Sequence, residues 1–205
     1  MTTKKIFILF CFLSAATLVS AQENYFYLAW NYQVPLSNTD WLDSSSPHGG
    51  KVGYRFFIHE KRISLGVDVN WTTFDQYEET RTFQQESGAI TTDYYKYIYQ
   101  YGAVISGQYY FPVGESEIIF PYAGLGLGAN YNDYTLYYNI YDESYAGWGF
   151  VARPEAGVVV RFGKYRSLGA IAGVHFDYST NKNDNFDYNG FNAVGFKLGV
   201  MMMSR

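Results

Sequence analysis

Two successive runs of this chain alternate apolar and polar residues with almost no errors. In the first, Trp148, Phe150, Ala152, Pro154, Ala156, Val158, Val160 and Phe162 fall on one face, with Gly149, Val151, Arg153, Glu155, Gly157, Val159 and Arg161 on the other. After residues 163–167, the second run sets Leu168, Ala170, Ala172, Val174, Phe176 and Tyr178 against Gly169, Ile171, Gly173, His175 and Asp177. Successive side chains of a strand point to opposite faces, so a period of two predicts a β-hairpin. A face turned to water would carry many Lys, Glu, Thr and Ser. Here the second face is mostly glycine with a few embedded charges, which suits a narrow, crowded interior.

The same period recurs along the rest of the chain. Phe26 to Leu36, Val52 to Ile58, Ile63 to Trp71, Tyr95 to Ile105, Ile119 to Ala129 and Val194 to Met202 each place apolar side chains at every second position, giving eight strands with the hairpin. Long polar connections at 37–47, 76–92, 132–147 and 181–189 alternate with short ones at 61–62, 112–117 and 163–167. The body of the chain has no run of 18 apolar residues, so it cannot cross a membrane as helices, and a closed barrel is the remaining way to satisfy backbone hydrogen bonds in lipid. The expected fold is all-β, an eight-stranded antiparallel up-and-down transmembrane β-barrel, with short turns at one end and long loops at the other. Trp30, Trp71, Tyr95, Tyr97, Tyr131, Trp148 and Tyr178 lie near the ends of the apolar bands, where interfacial aromatic girdles form.

The N-terminus explains how such a chain reaches a membrane. Lys4 and Lys5 precede the apolar run from Ile6 to Leu13, and Val19-Ser20-Ala21 supplies a small-residue cleavage site, so residues 1–21 read as a secretory signal peptide and 22–205 as the barrel domain. Phe10, before Cys11, is bulky where lipoprotein processing needs a small residue. Removing the leader removes the only cysteine, so the mature domain has no disulfide. It then carries 13 basic and 19 acidic side chains, a balance that excludes nucleic acid as a partner.

On this architecture, across its mature length, the chain resembles the OmpA/OmpX-type family of small outer-membrane barrels. The resemblance implies the cell outer membrane as location, contact with outer-membrane lipid and lipopolysaccharide, a monomer, and no cofactor. The terminal Met201-Met202-Met203-Ser204-Arg205 departs from the final aromatic common in such barrels. A soluble lipocalin-like barrel would expose the second face to water, and the twelve glycines there, from Gly53 to Gly199, argue against it.

If that face is the lumen, it encloses Lys51, Arg55, Lys96, Arg153, Arg161 and Lys197 with Asp68, Glu155, Asp177 and His175. An eight-stranded lumen is just wide enough for side chains to fill. Buried charges must be paired, and parity restricts the register, so the expectation is Arg153 opposite Asp177, Glu155 opposite His175 and Arg55 opposite Asp68. Arg161 and Lys197 belong to the same internal network. A proton relay or gated pore is the functional alternative to a structural filling.

Two constellations touch on catalysis. His175 and Ser179 share a strand face, but at four residues apart they are roughly 13 Å distant, too far for a nucleophile and its base. His48, with Asp43 and Ser44 to Ser46, resembles the loop histidine of lipid A palmitoyltransferases, yet those begin with an amphipathic helix and here Asn24 enters a strand directly. The loops carry Asp40, Asp43, Asp75, Glu78, Glu79, Glu86, Asp93, Asp133, Asp142, Glu143, Asp184 and Asp187 against Arg81 and Lys182. That excess could bridge to lipopolysaccharide through divalent cations, but no calcium-loop spacing and no other metal motif is present. Tyr134, Tyr137, Tyr138 and Tyr141 offer contact area for a surface ligand, or extend the barrel as a hairpin. The expected role is a non-enzymatic envelope or surface-interaction protein, with a lipid A acyl enzyme or a narrow solute pore as alternatives.

The leader has a direct check: N-terminal sequencing of the protein from isolated envelopes should begin Gln22-Glu23-Asn24. A chain beginning at Met1 would contradict the cleavage.

Overall fold

The computed structural model describes residues 23–85, 88–111, 118–138, 140–162, 167–183 and 188–204. The expected leader, the 112–117 turn and most of the 163–167 turn lie outside the described residues. Eight strands form among them: β1 Glu23–Pro35, β2 Ser46–Ile58, β3 Ile63–Gln85, β4 Gly88–Tyr110, β5 Ile119–Tyr138, β6 Tyr141–Phe162, β7 Leu168–Asn183 and β8 Tyr188–Ser204. Each pairs antiparallel with the next, and β1 pairs with β8 from Asn24↔Ser204 to Pro35↔Ala193, closing the barrel.

Parity sorts the side chains as the alternation predicts. Leu28, Val67, Ile105, Leu127, Val174 and Val200 point outward and are exposed, forming the apolar band that lipid covers. Trp30, Trp71, Trp148 and Tyr178 are likewise exposed. Asn31, Lys51, Asp68, Gln108, Glu155 and Lys197 on the alternate positions are buried. The turn from β2 to β3 is a single 3₁₀ segment, His59–Lys61, closed by Arg62 in a left-handed conformation (φ 54°).

Three of the expected long loops are largely strand. β3 runs to Gln85 and β4 starts at Gly88, β5 and β6 meet at Tyr138↔Tyr141, and β7 and β8 pair up to Asn183↔Tyr188. Above the bilayer the outward face of a strand meets water in place of lipid, so the outward apolar band disappears while Tyr and Thr keep their preference for extended backbone. The Thr82 and Thr91 hydroxyls pair across the β3–β4 hairpin at 2.9 Å, and Tyr77 packs on Tyr95 with ring centres 5.1 Å apart. Because β4 also pairs with β5 as far as Tyr94↔Tyr138, strands β3 to β6 rise as one four-stranded wall.

The first connection behaves differently and folds inward. Asn38, with φ 55°, donates through Nδ2 to the Gly190 carbonyl at 2.6 Å, and the Trp41 amide bonds back to the Asn38 carbonyl at 3.1 Å. The Asp43 amide donates to Gln76 Oε1 at 2.8 Å. These ties place Leu42, fully buried, in the barrel mouth.

Glycine on the inner face answers to space. A Cβ at Gly128 would lie 2.0 Å from the Ala103 carbonyl oxygen and 2.7 Å from Val104 Cα, both backbone atoms that cannot yield separately from the sheet. At Gly195 it would occupy the place of the His175 ring, 2.2 Å from Cε1. Gly128→Val should therefore cost about 1–3 kcal/mol or more. The folded fraction, read as the fast-migrating band of unheated protein on a denaturing gel, should fall. Gly107→Ala, whose Cβ meets Leu65 Cδ2 at 3.4 Å and the Ser64 carbonyl oxygen at 3.9 Å, both ordinary contacts, should keep that band.

Candidate functional site in the lumen

Closure turns the inward positions of eight strands into one enclosed column of side chains, which divides into layers along the barrel. At the short-turn end, Tyr25, Tyr27, Phe57, Tyr110, Tyr122, Met201 and Met203 form a buried cluster. The Tyr25 and Tyr110 hydroxyls meet at 2.5 Å, and Tyr110 donates to Gln108 Oε1 at 2.7 Å. Beside this cluster Arg161 lies 3.4 Å from the Glu23 carboxylate, with its guanidinium 4.4 Å from the Phe120 ring centre.

The middle layers are ionic. Arg55 Nη2 donates to Asp68 Oδ2 at 2.6 Å and to Glu155 Oε1 at 3.3 Å. Asp68 also accepts from Tyr27 at 2.6 Å and Ser106 at 2.5 Å. Glu155 accepts from Lys197 Nζ at 2.6 Å and from Gln108 Nε2, with Lys51 Nζ 3.8 Å away. One layer further, Arg153 grips Asp177 bidentately through Nε and Nη2, the latter at 2.8 Å, and Nη2 also reaches Asn70 Oδ1 at 2.9 Å. Gln33 Nε2 donates at 3.0 Å to Asp177 Oδ2, the oxygen that also accepts from Arg153 Nη2. Every carboxylate in these layers thus accepts several hydrogen bonds, the condition under which a buried charge is tolerated.

Toward the outside the lumen turns amide-rich and then apolar. Asn130 donates to Ser179 Oγ at 2.8 Å, and Ser179 donates to Asn181. Above them Leu42, Phe74, Ile98, Tyr134 and Phe191 pack as a second buried cluster, with Phe74 edge-on to Phe191 at 5.2 Å and Trp41 edge-on to Tyr134 at 6.1 Å. Over this cap, on the extracellular wall, Lys96 donates to Glu78 at 2.8 Å and lies 5.7 Å from both the Trp41 and Tyr94 ring centres. That hydrogen bond holds the Glu78 carboxyl below its usual value. Its small contribution is complete above the ordinary carboxylate range and fades as pH falls through the lowered value.

The expected register is partly corrected. Glu155 does sit opposite His175, but the side chains diverge: Glu155 turns to Lys197 and Arg55, while His175 Nε2 is 3.4 Å from Gln33 and 3.9 Å from Asp177. Arg55 is opposite Gly66 and not Asp68, whose partner is Gly53. The ion pair forms on the diagonal, because a side chain as long as arginine reaches two positions along the neighbouring strand. Arg153 and Asp177 meet directly.

Tyr134 and Tyr138 also differ from the expected contact surface. Both are buried, since their positions share the inward parity of Asn130 and Asn132, and only Tyr137 and Tyr141 are exposed. His175 and Ser179 share no hydrogen bond and are buried. His48 pairs at 3.4 Å with Asp75, the Ser46 hydroxyl donates to the Thr73 carbonyl at 2.5 Å and Ser45 Oγ accepts from Tyr32 at 2.8 Å, so neither Ser45 nor Ser46 is held against His48 as a nucleophile. Among the described residues, no group of three His, Cys, Asp or Glu side chains is placed to hold a metal ion. Tyr27, Gln33, Asn70 and Gln108 join the network without having been singled out, although their alternation marked them as inward. Trp41 and Leu42, an apolar pair within a polar loop, were the signal of the cap.

A closed antiparallel sheet of eight strands, apolar and girdled outside, polar and charged inside, defines an integral barrel of the outer membrane. The sequence matches the model of the outer membrane protein β-barrel domain over residues 6–202, and the chain belongs to that family. Among solved structures it is similar to Neisserial surface protein A, with 16% identity and a TM-score of 0.57 over 88% of this chain and 96% of that one. It is also similar to a major outer membrane protein from Thermus thermophilus, with 9% identity and a TM-score of 0.60 over 89% and 99%. No curated protein matches the sequence.

The ionic layers predict a strong asymmetry. Asp177→Asn should lower the stability of the refolded barrel by about 3–5 kcal/mol, because it leaves Arg153 buried without its carboxylate. Arg153→Met combined with Asp177→Leu should recover most of that loss. Urea midpoints in lipid vesicles compare the three.

Proposed function

We propose that the protein is a monomeric, non-enzymatic and non-conducting barrel of the outer membrane, whose ionic lumen braces it and whose extracellular wall makes the envelope or surface contacts. One observation carries this reading: buried ionic layers fill the lumen between the buried tyrosine cluster at one end and the buried Leu42 cap at the other. A pore needs a wetted path, and an acyl enzyme needs a nucleophile within reach of its base and of lipid. The arrangement supports neither.

What remains for recognition is the wall of β3 to β6. Its outer surface carries Tyr77, Tyr95 and Tyr137, all exposed, interleaved with Asp75, Asp133 and Asp142, while Tyr141 and Tyr145 are exposed on the inner side of the wall, opposite Tyr138 and Tyr134. Rigid amphipathic rings of this kind supply contact area at low entropic cost. The partners that fit are the lipid and lipopolysaccharide around the barrel and a surface ligand at the wall, with the 1–21 leader removed on the way.

Purified protein in planar bilayers should give no conductance steps, and lipid A from cells with and without the protein should have identical acyl composition by mass spectrometry. Reproducible steps would refute the sealed lumen, and an added or missing acyl chain would refute the non-enzymatic role.

A further inference from the structure

The ionic layers of the lumen do not balance. Four cations, Lys51, Arg55, Arg153 and Lys197, are buried together with three carboxylates, Asp68, Glu155 and Asp177. The two other lumen-facing cations have carboxylates of their own at the barrel ends, Glu23 for Arg161 and Glu78 for Lys96. His175 adds no negative charge in either protonation state, and the Tyr27 hydroxyl keeps its proton as the donor to Asp68.

Contacts identify the unmatched cation. Asp68 is taken by Arg55, Asp177 by Arg153, and Glu155 by Lys197 at 2.6 Å and Arg55 at 3.3 Å. Lys51 reaches only the already shared Glu155 oxygen, at 3.8 Å, and its Nζ makes no hydrogen bond with the protein although the side chain is fully buried. Directly across from Lys51 stand Ala29 on β1 and Asn70 on β3, and beyond Ala29 stands Gly199 on β8; Asn31, two residues along β1, is buried with its own Oδ1 unbonded, and no hydrogen bond joins it to Lys51.

Next to it are two further buried donors without acceptors. Asn70 spends Oδ1 on Arg153, leaving Nδ2 without a partner, and Arg153 leaves Nη1 without one. Three buried donors of adjoining residues, Lys51 Nζ, Asn70 Nδ2 and Arg153 Nη1, thus lack acceptors in a region that holds four basic side chains and three carboxylates. An uncompensated ion in such surroundings costs several kcal/mol.

We propose that the lumen binds one small monovalent anion, of the halide or nitrate class, against Lys51 Nζ with Asn70 Nδ2 and Arg153 Nη1 as its further donors. The anion supplies the fourth negative charge of the ionic layers. It is enclosed between the two apolar clusters, so it enters as the barrel folds and is retained afterwards.

The test is to refold the full mature barrel into vesicles in sodium fluoride, chloride, bromide or nitrate at equal ionic strength, then read urea midpoints. The midpoint should rise with bromide or nitrate concentration, continuing logarithmically above the dissociation constant, while strongly hydrated fluoride has little effect. Lys51→Met should abolish that dependence, which separates the site from general salt effects. Should that variant fail to fold, Asn70→Asp decides independently, since it places the missing carboxylate opposite Lys51. It should be as stable in fluoride as the parent in saturating bromide, and insensitive to halide. Equal midpoints for the parent in all four salts would overturn the proposal, as would a dependence that survives either substitution.

Discussion

Backbone hydrogen bonding in hydrocarbon is the condition on which this structure rests. No water is available at that depth to accept from a free N–H or donate to a free C=O, so every strand must have two neighbours. The twelve paired positions from Asn24↔Ser204 to Pro35↔Ala193 supply the eighth interface, without which β1 and β8 would each leave an edge in lipid. Closure by eight strands then sets the width of the interior, and that width is one that side chains can fill. The glycine face, the tyrosine cluster and the ion pairs are consequences of this fixed width.

Charge is an odd material with which to fill so small a space, because apolar residues would avoid the cost of desolvation. Secretion limits that choice: strands apolar on both faces would read as continuous hydrophobic segments, whereas alternating strands remain soluble enough to cross the inner membrane and the periplasm. A polar inner face must then satisfy itself once folded. It does so through long, multiply donating side chains that reach across the lumen, Arg55 from β2 to Glu155 on β6 and Arg153 from β6 to Asn70 on β3. Glycine at the intervening positions gives those side chains their room, as with the His175 ring over Gly195. The same chemistry binds non-adjacent strands to one another, which ladder hydrogen bonds cannot do.

The fold was legible in the sequence because one face of each strand had to be apolar through the bilayer, and Leu28, Val67 and Val200 record that in their spacing. Pairing parity was legible for the same reason, and it placed Arg153 with Asp177. What parity could not give was lateral reach. Arg55 meets Asp68 from a position opposite Gly66, and Glu155 prefers Lys197 on β8 to His175 across the ladder. These choices depend on side-chain length and on the barrel's curvature, neither of which appears in a pattern of period two. Strand ends escape such a reading where the environment changes: residues 76–82 and 132–138 lie beyond the lipid, so no outward apolar band marks them, although Tyr134, Leu136 and Tyr138 are still buried on the inner face.

That change of environment also explains why the wall need not close. Pairing of β2 with β3 runs to His48↔Thr73 and that of β6 with β7 to Val151↔Ser179, whereas β3 to β6 stay paired with one another well beyond these points. Outside the bilayer an edge is satisfied by water, and its hazard becomes unwanted strand pairing with other chains. The upper part of β3 carries Asp75, Glu78 and Glu79, and that of β6 carries Asp142 and Glu143. Charge on an edge disfavours addition of another strand, so these acidic side chains protect a wall that must stand at the cell surface without a partner strand. The acidic excess therefore has a structural role at the edges, while the exposed tyrosines on the outward face between them remain available for contact.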